Sequence, residues 1–361
     1  MGEVRKMKFS GELAIKFAIQ SVSHYTVPEL VRLAELANDE GIAQIWVNDN
    51  LGQRNIFVVL AGIAARVPIK LGTSIIVPYF RNPVDIADSL AALTEWMDGR
   101  ELSVGIARGD LTLAGRQVAM EKPIAMVRET TLALKALLAG ETVRFRDYPV
   151  LAARHHILPQ QEFRLAFAPA APIRFYCGGN GPTILKIAGR IMDGVLIGNH
   201  YIPLLRSDRL DSLLAIFRSS AGVNGSEKCL SDIAEIDIAV SKDRREALEF
   251  ARPRVAGIIS NLDRQGFTDD EFHLLGIAPR LVRSLREACA SGVSLAAAST
   301  LIPDGSVTAC FVAGGPEECR DQLAPLLERA GRLKFNQVAL AKLGPDYEEA
   351  IKLLRDRVLP A

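Results

Sequence analysis

The stretch IKLGTSIIVPYFRNPVDIADSLAALTEWMDGRELSVGIA, residues 69 to 107, reads as strand, helix, strand. Its ends, IKLGTSIIV (69 to 77) and ELSVGIA (101 to 107), are short apolar runs rich in β-branched residues, as sheet strands require. Between them Ile86, Leu90, Leu93 and Met97 recur at helical spacing, which predicts a helix over 83 to 99. The same alternation runs upstream. LAIKFAI (13 to 19) is a strand, and VPELVRLAELANDEG (27 to 41) sets Leu30, Ala34 and Ala37 on one helical face and stops at Gly41. AQIWV (43 to 47) is the next strand and NIFVVLAGIAARV (55 to 67) its helix. Four β-α repeats in a row imply a parallel sheet covered by helices.

Two architectures suit that repeat, an open doubly wound sheet and a closed barrel. Downstream, IRFYC (173 to 177), GVLIGN (194 to 199), EIDIAV (235 to 240) and FNQVALA (335 to 341) supply further strands, with helices at 128 to 141, 183 to 191, 316 to 330 and 346 to 357. The total is about eight, which decides for an α/β fold of the (β/α)8 TIM-barrel type. VRFRDYPV (143 to 150) is predicted as a β-hairpin insertion after strand 4, and 244 to 305 as a helical insertion between strands 7 and 8 that covers the mouth. The 361 residues are read as a single domain, with SSAGVNGSEK (219 to 228) a polar loop and not a linker.

Composition narrows the partners. With 43 Lys+Arg against 42 Asp+Glu the formal net charge is +1, which gives no basic field for nucleic acid or an anionic membrane. A small-molecule substrate is expected. The N-terminal apolar run is interrupted by Lys16, and the apolar stretch at 288 to 303 is shorter than the about 20 residues that span a bilayer. A cytoplasmic protein is therefore expected. The five cysteines are odd in number and lack CxxC spacing, so neither a disulfide frame nor a zinc site is expected.

Chemistry in such a barrel sits at the C-terminal ends of the strands. There the sequence places Asn48, Asp49 and Asn50; Ser74 to Tyr79; Arg108, Gly109 and Asp110; Gly178 to Gly181; Asn199 and His200. In FYCGGNGPTILKIAG (175 to 189) the glycines Gly178, Gly179 and Gly181 allow a ligand close to the backbone, Pro182 suits the first helical position, and the helix from Thr183 presents unpaired N–H groups. An anion is expected there, a simple turn being the alternative. AGGPEE (313 to 318) has a similar form, but Glu317 and Glu318 already compensate its helix end. His155 and His156, adjacent on the expected hairpin, make a poor ligand pair; His24 and His200 are lone; Cys177 reads as a small buried filler.

WVNDN (46 to 50), LGTSIIVPYFRNP (71 to 83), GRELSVGIARGD (99 to 110) and PIRFYCGGNGPTILKIAGRIMDGVLIG (172 to 198) together resemble the luciferase-like monooxygenase superfamily. The branch they are most similar to includes methylenetetrahydromethanopterin reductase and other users of the deazaflavin coenzyme F-420. The resemblance implies hydride transfer, in the reductive direction, between F-420 and a small organic substrate, in a homodimer. FMN is the alternative cofactor, for a monooxygenase; a barrel that binds cofactor without turnover is a third reading. It further implies a non-proline cis peptide at Ser74 and Ile75 pressed against the cofactor ring. Asp49 contacts the polar edge or ribityl chain of the cofactor, unless it caps the following helix. Arg108, Gly178, Gly179, Asn180, Gly181 and Thr183 complete the expected cofactor site. Asp110 is the expected acid or base near the substrate, or a structural partner of Arg108. Asn50 departs from the alcohol-oxidising relatives, which carry a titratable His there, whereas an amide cannot titrate.

Overall fold

The computed structural model describes residues 9–18, 23–109, 118–198, 200–222 and 230–359. Strands β1 (Glu12–Phe17), β2 (Gln44–Val47), β3 (Lys70–Ile76), β4 (Leu102–Ile106), β7 (Ile173–Cys177), β8 (Gly194–Ile197), β9 (Ile233–Val240) and β11 (Gln337–Ala341) are the eight strands of a (β/α)8 barrel. Short strands β5 (Val143–Arg144) and β6 (Glu162–Phe163) form a separate antiparallel pair, and β10 (Val312–Gly314) runs parallel to β9.

The chain divides into two compact units. The larger holds Leu13–Leu196 with Leu213–Ile233. Within it β1, β2, β3, β4, β7 and β8 are successive parallel neighbours, and a helix follows each of the first four pairings' strands where the sequence places one. Local chemistry sets the helix starts. Thr26 and Glu29 make a reciprocal capping box for Val27–Asp39, Asn55 caps Ile56–Ala64 and Asn82 caps Pro83–Thr94. The first of these helices ends before Gly41, whose φ of +80° favours glycine. Its predicted stripe, Leu30, Ala34 and Ala37, is wholly buried, as are Ile86 and Leu90 of Pro83–Thr94, a helix that ends short of the predicted 99 and leaves Met97 buried in the turn after it.

The other unit holds residues through Glu12, Ile197–Ser212 and Ala234–Ala361. The predicted helical insertion is present as Arg244–Arg264, Asp269–Leu274, Pro279–Ala290, Leu295–Ala298 and Asp304–Cys310, five residues longer than expected. At the C-terminus Tyr347, Ile351, Leu354 and Val358 are buried along Tyr347–Leu353 and the π-turn Leu354–Val358 that continues it.

Three expectations need correction. The hairpin strand over 143 to 150 is strand only at Val143–Arg144; a 3-10 turn, Phe145–Asp147, and a helix, Pro149–Arg154, follow. Proline lacks the N–H a ladder needs but suits a first helical turn, and the buried Glu129 carboxylate accepts from the amides of Val150 (2.9 Å) and Leu151 (3.0 Å). His155 therefore ends a helix and is not a strand residue. Helices Tyr201–Arg206 and Arg209–Ala221 were not expected, although Leu210, Leu214, Phe217 and Ala221 carry the spacing and are buried. The loop expected at 219 to 228 begins inside the second of them, and its residues 223 to 228 lie outside the described residues.

Cys177, Cys289, Cys310 and Cys319 are free thiols, and no group of His, Cys, Asp and Glu among the described residues could hold a metal. No helix of the described residues is long and apolar enough to cross a membrane. Gly194, which opens β8, sits hard against the strand approach from Ser231: an added Cβ would lie 1.7 Å from the Ser231 carbonyl oxygen. Gly194→Ala is expected to cost about 2 to 3 kcal/mol of stability; a thermal melt superimposable on the parent's would contradict this.

Candidate functional site

Asp49 follows β2 and is 4% exposed. Its Oδ2 accepts from Arg81 Nη1 at 2.5 Å, while its Oδ1 is equally buried and has no partner. The Arg81 guanidinium in turn lies 5.5 Å from the ring centroid of Phe57, a cation–π contact that turns the fork toward Asp49. Burial raises the Asp49 pKa above the ordinary carboxylate range, and the Arg81 ion pair and the Val77 amide only partly oppose it. Asp49 is not a helix cap; Asn55 fills that place, accepting from the Phe57 amide at 2.9 Å.

Arg81 ends a turn that leaves β3, and β3 carries the expected cis peptide between Ser74 and Ile75. The register against β4 slips there, between Thr73 and Ile76. The space for Ile75 comes from two glycines on adjacent strands. A Cβ on Gly178 would lie 2.6 Å from Ile75 Cγ2, and one on Gly105 would lie 3.2 Å from it and 2.5 Å from the Thr73 carbonyl oxygen. Gly178 is thus a packing glycine: the space beside it holds Ile75. Gly179 is also enclosed, with Ile184 Cγ2 at 3.0 Å from its notional Cβ.

Gly181 differs from both. Its nearest neighbour to an added Cβ is Ile184 Cγ2 at 4.0 Å, and its backbone (φ −81°, ψ 145°) is one any residue adopts. It caps Pro182–Ile191, a helix with no side-chain cap and no acid in its first turn. Asn180 is half-buried and Thr183 exposed. The competing junction behaves oppositely: Glu318 Oε2 accepts from the Gly315 amide at 2.9 Å at the start of Pro316–Arg332, so that helix end is satisfied by its own chain.

Of the remaining candidates, Arg108 is exposed and Gly109 has φ +91°; Asp110 lies outside the described residues. Asn50 is half-buried beside Asp49 in sequence. Burial pushes the Cys177 thiol up to about 11, which leaves no thiolate for nucleophilic work. His24 is exposed against Tyr25, and His200 belongs to the other unit. The structure thus joins Asp49 to Arg81, and Ile75 to Gly105 and Gly178, through one segment, 74 to 81. Arg81, Phe57 and Gly105 were not among the predicted residues. Arg81 stood in the family-like stretch LGTSIIVPYFRNP, but nothing in sequence marks it as the partner of an acid 32 residues away.

A (β/α)8 barrel with an aspartate and a cis peptide at its strand ends defines the class. The structure of the coenzyme F-420 dependent tetrahydromethanopterin reductase from Methanopyrus kandleri superposes with a TM-score of 0.72 at 23% identity, covering 96% of this chain and 98% of that one, which supports the same fold. The luciferase-like monooxygenase family matches residues 7–333, and the chain belongs to it. Among curated relatives, the 5,10-methylenetetrahydromethanopterin reductase of Methanolobus tindarius is 28% identical over 95% of this chain and 99% of its own length. The F-420-dependent glucose-6-phosphate dehydrogenase of Amycolatopsis mediterranei is 24% identical over 94% and 96%.

The Asp49–Arg81 pair makes a directional prediction. Because burial raises the Asp49 pKa, the folded chain holds a proton there that the unfolded chain has already lost, so this group's contribution to stability falls as pH rises from the ordinary carboxylate range through the raised value. Arg81→Met removes the counter-ion and pushes that pKa higher still. The variant should lose about 3 to 5 kcal/mol at neutral pH and less in acid, where protonated Asp49 needs no partner. Melting temperatures of both proteins at pH 8 and pH 5 check this; a gap that widens in acid would be the wrong sign.

Proposed function

We propose that this protein is an oxidoreductase that transfers a hydride between the deazaflavin coenzyme F-420 and a small organic substrate. The observation that carries the proposal is the half-used carboxylate of Asp49: Arg81 occupies one buried oxygen and the other is left without a partner. A buried acceptor left open is costly, and it fits a ligand that brings its own N–H or O–H group. The open backbone at Gly181 and the uncapped amides from Thr183 fit the anionic tail of the same ligand. Two of the relatives named above, the Methanopyrus kandleri reductase and the Amycolatopsis mediterranei dehydrogenase, are F-420-dependent by name, which supports this coenzyme over FMN.

The coenzyme, once bound, supplies a ring carbon that gives or takes a hydride. The chain's own groups bind and orient it. Asp49 would accept from its polar edge and Ser74 and Ile75 would lie against the ring, with Gly178 leaving the room that Ile75 takes and Gly179 part of the same cofactor segment. Asn180, Gly181 and Thr183 would receive the anionic tail, and Arg108 is an exposed cation available to the coenzyme. Asn50 can donate and accept hydrogen bonds but cannot move a proton, so the proposal favours reduction of an activated double bond over alcohol oxidation. Asp110 is assigned as the acid or base that serves the substrate.

Titration of the purified protein with F-420 and, separately, with FMN tests the reading, with fluorescence of the buried Trp46 as the signal. Tight FMN binding with indifference to the deazaflavin would falsify it. Gly181→Val has room in the fold, so its melting temperature should match the parent's while its Kd for F-420 rises at least about tenfold, since the side chains fill the space an anion needs. Asp110→Asn should spare coenzyme binding and slow turnover, by about a hundredfold if it is the proton carrier.

A further inference from the structure

Two consecutive side chains reach the turn that leaves β3. Arg154 Nη2 donates to the Tyr79 carbonyl at 3.1 Å, with its guanidinium 5.5 Å from the Tyr79 ring centroid. His155 Nε2 lies 2.9 Å from the Pro78 carbonyl. A carbonyl only accepts, so Nε2 carries the proton. Burial lowers the His155 pKa, which leaves the ring neutral with that nitrogen as its single donor. From behind, the helix Pro149–Arg154 is fixed by the Glu129 carboxylate on the long helix Pro123–Leu138. On the turn itself, the Tyr79 hydroxyl donates to the Glu121 carbonyl (2.7 Å) and the Phe80 amide to the Val77 carbonyl (3.1 Å). Two residues beyond Tyr79 stands Arg81, on Asp49.

We propose that Arg154 and His155 form a brace for the site, and that His155 is a positioning residue. Its bond to Pro78 holds the turn from Val77 to Arg81 where Arg81 can grip one oxygen of Asp49 and leave the other open. The inserted segment 143 to 163 thereby acts on the coenzyme site without touching the ligand. The effect on coenzyme affinity rests on the proposed function; the effect on the turn does not.

The test uses His155→Ala and His155→Gln, each also combined with Arg81→Met, with two readouts. The first is backbone amide exchange over 77 to 81 in the ligand-free protein; the second is the Kd for F-420. His155→Ala is expected to speed exchange of the turn and weaken F-420 binding, each by about tenfold, the scale of one hydrogen bond. His155→Gln, which keeps an N–H donor but neither ring nor titration, should restore both. In the Arg81→Met background His155→Ala should cost no further affinity, because the two act in series. Unchanged exchange in His155→Ala overturns the proposal, and so does a glutamine variant no better than alanine. If the parent ignores F-420 while exchange responds as expected, the proposed function fails and the brace stands.

Discussion

The candidate site depends on a volume left empty on two neighbouring strands so that one side chain can enter it. A Cβ on Gly178 would collide with Ile75 and one on Gly105 with the Thr73 carbonyl oxygen, and the Ser74–Ile75 bond between them is the cis bond of β3. Packing in a protein interior is too dense for a side chain to share that space. A side chain at Gly178 would displace Ile75 and one at Gly105 would press on the Thr73 backbone, so either substitution disturbs β3 just ahead of the turn from Val77 to Arg81. The aspartate site is therefore downstream of a purely steric condition set elsewhere in the sheet.

The ion pair reached by that course is not there for stability. A carboxylate taken out of water loses hydration that its partner returns only in part, and the upward displacement of the Asp49 pKa records the shortfall. Across proteins, apolar groups of equal volume in place of a buried ion pair often hold a fold as well. On the proposed function, what the pair provides is an acceptor whose direction is fixed before the coenzyme arrives, which is how electrostatic recognition gains its strength. Phe57 beneath the guanidinium and the braced turn at Pro78 and Tyr79 serve the same fixity.

The barrel was legible because its signals are local. IRFYC lies between turn residues and is a strand at the predicted bounds, and the stripe Leu30, Ala34, Ala37 faces the core as its spacing required. Arg209–Ala221 escaped although its spacing is in the sequence; the rest of what escaped was either too short for a period or dependent on contacts far apart in sequence. Val312–Gly314 has three residues, and a glycine turn masks it. The helix at Pro149–Arg154 takes its amide partner from Glu129, about 20 residues upstream, which nothing in VRFRDYPV announces. Of the site, resemblance supplied Asp49 and the cis bond at Ser74, whereas the partners Arg81 and Gly105 emerged only when strands lay side by side. Gly178 was singled out for closeness to a ligand, and what the strands add is a second demand on it, since a Cβ there would meet Ile75.

The two strand–glycine–proline–helix junctions share a sequence grammar and differ at one word. After Gly315 and Pro316 the third helical residue is Glu318, which folds back on the amide at Gly315; after Gly181 and Pro182 it is Ile184, which cannot. One junction is answered by its own side chain, while the other has no side-chain cap of its own. A pattern search blind to that third residue would count both alike, although the Gly315 amide already has the Glu318 carboxylate as its partner.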